Sequence, residues 1–223
     1  VFFFQYQHMN IITNFEKIKQ EIKNNLPQRD VKVIAVSKTF SLEHVMPLVK
    51  HGHKHFGENK VQEAEKKWKD LKKTINNLSL HMIGRLQSNK AKKAVEIFDY
   101  IHSLDSEKLA KELSKRQKEK NKNLGYFIQI NLGSEEQKGG LQINDLKNFN
   151  DYCVKELNLS ILGLMAIPPN DKNPEKHFKK ISELNKQFNF QKLSIGMSND
   201  FLQAIKYGAS HIRVGSAIFG SRD

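Results

Sequence analysis

Cysteine, arginine and long apolar runs are what this 223-residue sequence has least of. With Cys153 as its only cysteine, the chain has no internal disulfide and no basis for a cysteine-built metal site. That residue reads as a small hydrophobe on a helix, and the cytoplasm is the expected compartment. No apolar stretch comes near the roughly eighteen residues that a membrane-spanning helix needs, so no membrane role is expected. The opening "VFFFQYQHMN" is aromatic but lacks a basic leader and a small-residue cleavage site. Residues 1–8 are therefore expected to be an extension ahead of the fold. No proline- or glycine-rich linker divides the rest, so 9–223 is expected to form one domain.

The scarcity of arginine bears on the net charge of +13, which by itself invites a nucleic-acid role. Of 37 basic residues only Arg29, Arg85, Arg116, Arg213 and Arg222 carry the bidentate fork that dedicated phosphate and base readers favour. The lysines fall in segments such as "EAEKKWKDLKK" and "SEKLAKELSKRQKEKNK", interleaved with acids. Such segments read as solvated helix faces with i,i+4 pairs, and no specific nucleic-acid partner is expected.

What the sequence does have is alternation. After an opening helix at about 10–25, apolar runs occur at 31–36, 53–56, 79–83, 98–102, 125–131, 159–164, 192–195 and 210–214. Amphipathic helical patterns separate them, near 42–50, 59–73, 87–96, 105–121, 142–156, 174–188 and 198–207. In "SNDFLQAIKYG", Ser198 is placed as N-cap and Gly208 as terminator. Strands that alternate with helices predict an α/β fold with a parallel sheet. Eight such units in so few residues suit a single (β/α)8 TIM barrel. A doubly wound sheet is the alternative, and the missing G-x-G-x-x-G after the first strand counts against it.

In a barrel the chemistry sits where strands end. Those positions are polar and glycine-rich here: Ser37-Lys38-Thr39, Gly57-Glu58-Asn59, Ile83-Gly84-Arg85, Gly196-Met197-Ser198 and Arg213-Val214-Gly215-Ser216. A lysine at the first strand's end either snorkels to solvent or, once desolvated, becomes a nucleophile toward carbonyls. The glycine-serine turns after the last two strands are either ordinary caps or a cradle for phosphate. A nucleophilic lysine facing a phosphate cradle suggests pyridoxal 5'-phosphate (PLP). Arg213 would then meet the pyridine nitrogen and keep it unprotonated, which makes the ring a weak electron sink.

"AVSKTF", "HFGENKVQEAEKKW", "HMIGRLQSNKAK", "GLMAIPP", "LSIGMSNDFLQAI" and "GASHIRVGSAIFGSR" together closely resemble the pyridoxal-phosphate homeostasis proteins of the YggS/PROSC type. That family in turn resembles the barrel domain of alanine racemase, and the likeness runs in order from about 31 to 222. It implies a barrel of the alanine-racemase N-terminal-domain type with PLP held as a Schiff base on Lys38. It also implies a pocket lined by Asn59, Ile83 and Gly84, with phosphate on Ser198, Gly215 and Ser216 and the ring nitrogen on Arg213. Lys60 stands where the family commonly has Tyr, and Leu80 where a Trp often precedes the histidine. Both are expected at the pocket wall or its outer support.

The family is described as handling vitamin B6 without an established reaction, and PLP-dependent apo-enzymes are the partners it suggests. A small PLP-dependent amino-acid racemase is the competing reading. Two-base racemization needs a second acid/base group. In alanine racemase that group comes from a further β domain and the dimer partner, and no sequence for such a domain follows the last barrel motif. A PLP-binding, non-catalytic monomer is the expectation. His51, His53 and His55 in "HGHKHFGE" alternate onto one face but lack accompanying Asp, Glu or Cys ligands, so no metal is expected. Trp68 reads as packing.

Overall fold

The computed structural model describes residues 2–133, 139–169 and 173–221, with side chains from Asn10 onward. Helix α1 (Phe2–Asn25) leads into strand β1 (Lys32–Val36), helix α2 (Leu42–Lys50) and strand β2 (His55–Glu58). Helices α3 (Val61–Trp68) and α4 (Leu71–Thr74) precede β3 (Ser79–Met82), and α5 (Ala91–Ile97) precedes β4 (Tyr100–Leu104). Next come α6 (Glu107–Glu119), β5 (Gly125–Gln129), α7 (Leu146–Asp151) with a wide turn at Tyr152–Glu156, and β6 (Ser160–Met165). The chain closes with α8 (Pro174–Gln187), β7 (Lys192–Met197), α9 (Phe201–Lys206), β8 (His211–Val214) and α10 (Ser216–Phe219).

All eight strands are parallel and in sequence order, and β1 pairs with β8 to close the barrel. At that seam Lys32 lies beside His211 and Ile34 beside Arg213. The barrel read from the alternation is therefore the fold, with strand limits within about two residues of those expected. The opening helix starts at Phe2 instead of at about 10; the expected extension at 1–8 concerns side chains outside the described residues.

Local chemistry explains several elements. Ser41 caps α2 by accepting the His44 amide, and Asn173 caps α8 ahead of Pro174, whose fixed φ suits a first helical position. Alternation in β5 sorts its side chains: Tyr126 and Ile128 face the helices, while Phe127 turns inward and stacks on His102 at 4.3 Å. The main apolar core is thus a cylinder between sheet and helices, where Val33, Ala35, Phe56, Leu80 and Ile212 meet Leu48, Trp68, Leu113, Phe178 and Ile205. Leu80, where the family often has Trp, is fully buried in it.

Inside the barrel the filling is partly polar. His81, His102, Ser194, His211 and Arg213 are all buried there beside Ile34 and Phe127. Burial disfavours the charged imidazole, so His81 and His102 are held well below the usual histidine range, His53 falls to about 4 and His211 to about 3. In the unfolded chain these rings titrate near pH 6.5, so below that pH the unfolded state binds more protons than the native one. Stability is then complete above pH 6.5 and falls on acidification through the window down to about 4 for His53 and about 3 for His211. Each ring contributes a slope of up to about 1.4 kcal/mol per pH unit. Urea midpoints taken at about pH 7.5, 6 and 5 should decline in that order; equal midpoints would mean that the rings are not held neutral.

Candidate functional site

Lys38 sits on the turn that leaves β1, and the turn is braced from outside the barrel. Thr39 has φ +69, a left-handed conformation that a β-branched residue adopts only under constraint. Its amide donates to Glu63 on α3. Lys67, one helical turn on from Glu63, donates to the Ser37 carbonyl at 2.7 Å and to Glu58 Oε1 at 2.9 Å. The same carboxylate oxygen accepts from the Ser37 hydroxyl at 2.7 Å and from the Trp68 indole at 2.9 Å. The Glu58 side chain is fully buried and that of Lys67 is 7% exposed. This buried ion pair fixes the backbone on either side of Lys38.

Seven of the eight residues singled out from the sequence line one cavity of about 730 Å³ at the C-terminal mouth: Lys38, Asn59, Ile83, Ser198, Arg213, Gly215 and Ser216. Its volume lies within the ~300–1,000 Å³ span of small-molecule sites. Gly84 stands behind the wall instead: a Cβ there would lie 2.4 Å from the Asn59 carbonyl oxygen, so the glycine lets the two loops pack and sets where Asn59 stands. Ser198 is not the N-cap of α9; Asp200 holds that position, and its carboxylate accepts the amide of Met197, ahead of the helix, at 2.6 Å instead of a helix amide. The hydroxyl of Ser198 instead accepts the backbone amides of Gly215 and Ala217 at 3.3 and 3.4 Å, across the β7 and β8 loops. Gly196, at φ +92 and with Ala204 2.6 Å from where its Cβ would be, permits the sharp exit from β7. Lys60 lines an adjoining groove with Arg85, Lys90 and Lys108, not the cavity that holds Lys38.

Arg213 is 4% exposed. Its fork donates to the Ser194 carbonyl at 2.8 Å, the Ser194 hydroxyl at 2.7 Å and the Ala166 carbonyl at 2.9 Å. Burial draws the guanidinium down to about 10, with Asp200 opposing, so it keeps its charge at neutral pH. One cavity thus joins an amine, the β7 and β8 loops tied by a serine hydroxyl, and a fixed cation.

The sequence matches the family described as alanine racemase, N-terminal domain, over residues 9–223. A pyridoxal phosphate homeostasis protein from Aquifex aeolicus is 40% identical over 200 residues, covering 86% of this chain and 87% of that protein. Its counterpart in Haemophilus influenzae is 36% identical and covers 96% and 97%. The chain belongs to the pyridoxal phosphate homeostasis protein family. A solved structure of similar fold, PipY, the COG0325 family member of Synechococcus elongatus PCC7942, with PLP bound, superposes with a TM-score of 0.85 at 33% identity, covering 94% of this chain and all of that one. An alanine racemase from Clostridium difficile shares the fold at a TM-score of 0.70 and 16% identity; the match spans 57% of the racemase chain.

Within this family member, several residues that shape the site were not singled out from the sequence. Glu58 was noted only as part of a strand end, and Lys67 looked like one more surface lysine. Trp68 does pack, as read, but it also donates to Glu58. His51, His53 and His55 do not act as a group. His51 pairs with Glu16 at 2.8 Å, His53 contacts the His55 carbonyl at 2.8 Å, and His55 reaches His81 at 3.1 Å. Cys153 is fully buried, and burial pushes its thiol up to about 12, which makes it a poor nucleophile at neutral pH.

The brace behind Lys38 makes a quantitative prediction. Lys67→Met leaves the Glu58 carboxylate buried without its cation and should lower the unfolding free energy by about 3–5 kcal/mol. Glu58→Gln in the same chain should recover much of that loss. Urea unfolding of the two variants checks it, and a loss below about 1 kcal/mol for Lys67→Met would mean that the pair carries no such constraint.

Proposed function

We propose that the chain binds PLP in the cavity at the barrel mouth and acts in intracellular vitamin B6 homeostasis, holding the cofactor without turning over a substrate. The observation that carries this reading is the set of groups around one cavity: Lys38, the Ser198–Gly215–Ser216 loops and the Arg213 fork. Their chemistry fits the group. An aldehyde calls for an amine, a phosphate dianion for backbone amides and hydroxyls, and a pyridine nitrogen for a donor. The PLP-bound relative and the homeostasis-protein relatives support the same assignment.

Lys38 would hold the aldehyde end of the cofactor through its amine, a nucleophile toward carbonyls once unprotonated. The Ser198 and Ser216 hydroxyls and the Gly215 amide, which border the same cavity, would receive the phosphate. Asn59, placed by its packing on Gly84, and Ile83 would border the ring. Bound PLP supplies an electron-withdrawing ring whose strength depends on protonation of its nitrogen. A guanidinium has only N–H donors, so Arg213 meets that nitrogen in its unprotonated form. This choice weakens carbanion stabilisation and favours holding over catalysis.

The racemase reading needs a second proton carrier opposite Lys38. Among the described residues lining the cavity, the other ionisable side chains are Asp200 and Arg213. Asp200 is engaged with the Met197 amide and Arg213 is a donor only. We further propose that the protein works as a monomer in the cytoplasm and that PLP-dependent apo-enzymes are the partners it serves.

Purified protein mixed with PLP should develop a visible absorption band, and borohydride should fix one cofactor on Lys38 by mass spectrometry. Lys38→Ala should lose both. An adduct centred on another lysine would overturn the assignment. Turnover of common amino acids between enantiomers should be absent, and robust turnover that Lys38→Ala abolishes would overturn the non-catalytic reading.

A further inference from the structure

Five strands contribute to a single line of hydrogen bonds through the barrel interior. His55 Nδ1 on β2 lies 3.1 Å from His81 Nε2 on β3, and His81 Nδ1 lies 3.0 Å from His102 Nε2 on β4. His102 Nδ1 lies 2.8 Å from the Ser194 hydroxyl on β7, which takes the Arg213 N–H from β8 at 2.7 Å. The line begins at half-buried His55 and ends at the guanidinium that borders the cavity. His81 stacks on Tyr100 at 4.5 Å and His102 on Phe127 at 4.3 Å, so neither ring is free to turn.

The direction of the protons follows from the charged end. Arg213 can only donate, so the Ser194 oxygen accepts from it. The serine hydrogen then needs an acceptor, and among the described contacts of that hydroxyl His102 Nδ1 is the one that can serve. His102 therefore carries its hydrogen on Nε2 and donates to His81 Nδ1. His81 in turn carries its own on Nε2 and donates to His55 Nδ1. The opposite order would aim both His102 N–H and Arg213 N–H at Ser194. It would leave the serine hydrogen without an acceptor at a fully buried residue. Protonating His81 would set its Nδ1–H against the His102 Nε2–H, and protonating His102 would take away the acceptor of the serine hydrogen. The low basicity that burial gives these rings agrees with that order.

We propose that Ser194, His102, His81 and His55 are positioning residues for Arg213. They form a tautomer-locked string that reserves the Ser194 oxygen as the guanidinium's acceptor and so aims the rest of the fork at the cavity. The inference rests on the reading that Arg213 meets the ring nitrogen of PLP. It adds that the electronic state of the bound ring depends on residues that never touch it, reaching back to strand β2.

The experiment has two arms. In the full chain without cofactor, nitrogen-15 NMR of labelled histidine at about pH 7.5 should show His55, His81 and His102 as neutral rings with hydrogen on Nε2. Ser194→Ala should convert His102 to a mixture of tautomers. With PLP added, Ser194→Ala and His102→Phe should each weaken PLP retention about tenfold, as expected for loss of one hydrogen bond to a charged group. Both should shift the visible band in the same direction as Arg213→Ala, and His102→Gln, which keeps an acceptor and a donor, should recover part of the effect. An Nδ1–H or protonated form at His81 or His102 in the unaltered protein overturns the string, whether or not a variant folds. Unchanged retention and band in folded Ser194→Ala, with Arg213→Ala altered, overturns the positioning role while leaving the PLP reading intact. If the unaltered protein takes up no PLP, the cofactor reading falls, and with it the string's role toward the cavity.

Discussion

A full positive charge sits inside the barrel at Arg213, and its surroundings are arranged to hold it there. A guanidinium removed from water costs several kcal/mol unless oxygens take its hydrogens. Two carbonyls and one hydroxyl do so here, drawn from β7 and from the residue that follows β6. Satisfying Arg213 therefore ties the last three strands of the barrel to one another. It also forces the neighbouring interior groups to be acceptors or neutral rings, which is the state that burial imposes on His81, His102 and His211.

The protein consequently has two interiors with different rules. Between sheet and helices the packing is apolar, and a change in volume there acts through cavities and overpacking. Within the barrel the constraints are directional, because each buried polar atom needs a partner of the right kind. The outer layer also reaches inward at one point. The Glu58–Lys67 pair and Trp68, all on the helix side of β2, brace the turn from which Lys38 emerges. The brace acts on the backbone of the turn, on either side of Lys38, from outside the barrel.

Much of this was legible in the sequence. Alternating β-branched runs and amphipathic stretches gave the eight units, and a lysine after the first strand and an arginine in the last pointed to one mouth. Ser198 was placed correctly at the mouth but with the wrong local job. Its hydroxyl serves amides seventeen and nineteen residues ahead, a contact that no local pattern encodes. The interior string was missed for a related reason. His81 in "LHMIG" and His102 in "YIHSL" look like ordinary strand residues until the register of five strands is known. A period-2 recurrence of polar residues inside otherwise apolar strands was the available signal. Likewise Lys67 resembles its many exposed neighbours, and only the buried Glu58 beneath it sets it apart.

The seam between β1 and β8 has a consequence for biosynthesis. Lys38 follows the first strand, whereas Arg213, Gly215 and Ser216 follow or belong to the last, about 175 residues later. No earlier subset of strands contains both halves of the cavity. A growing chain on the ribosome therefore has only part of the cavity until β8 has docked beside β1. Any ligand spanning that seam would bind only the completed ring and would act as a clasp between its first and last strands.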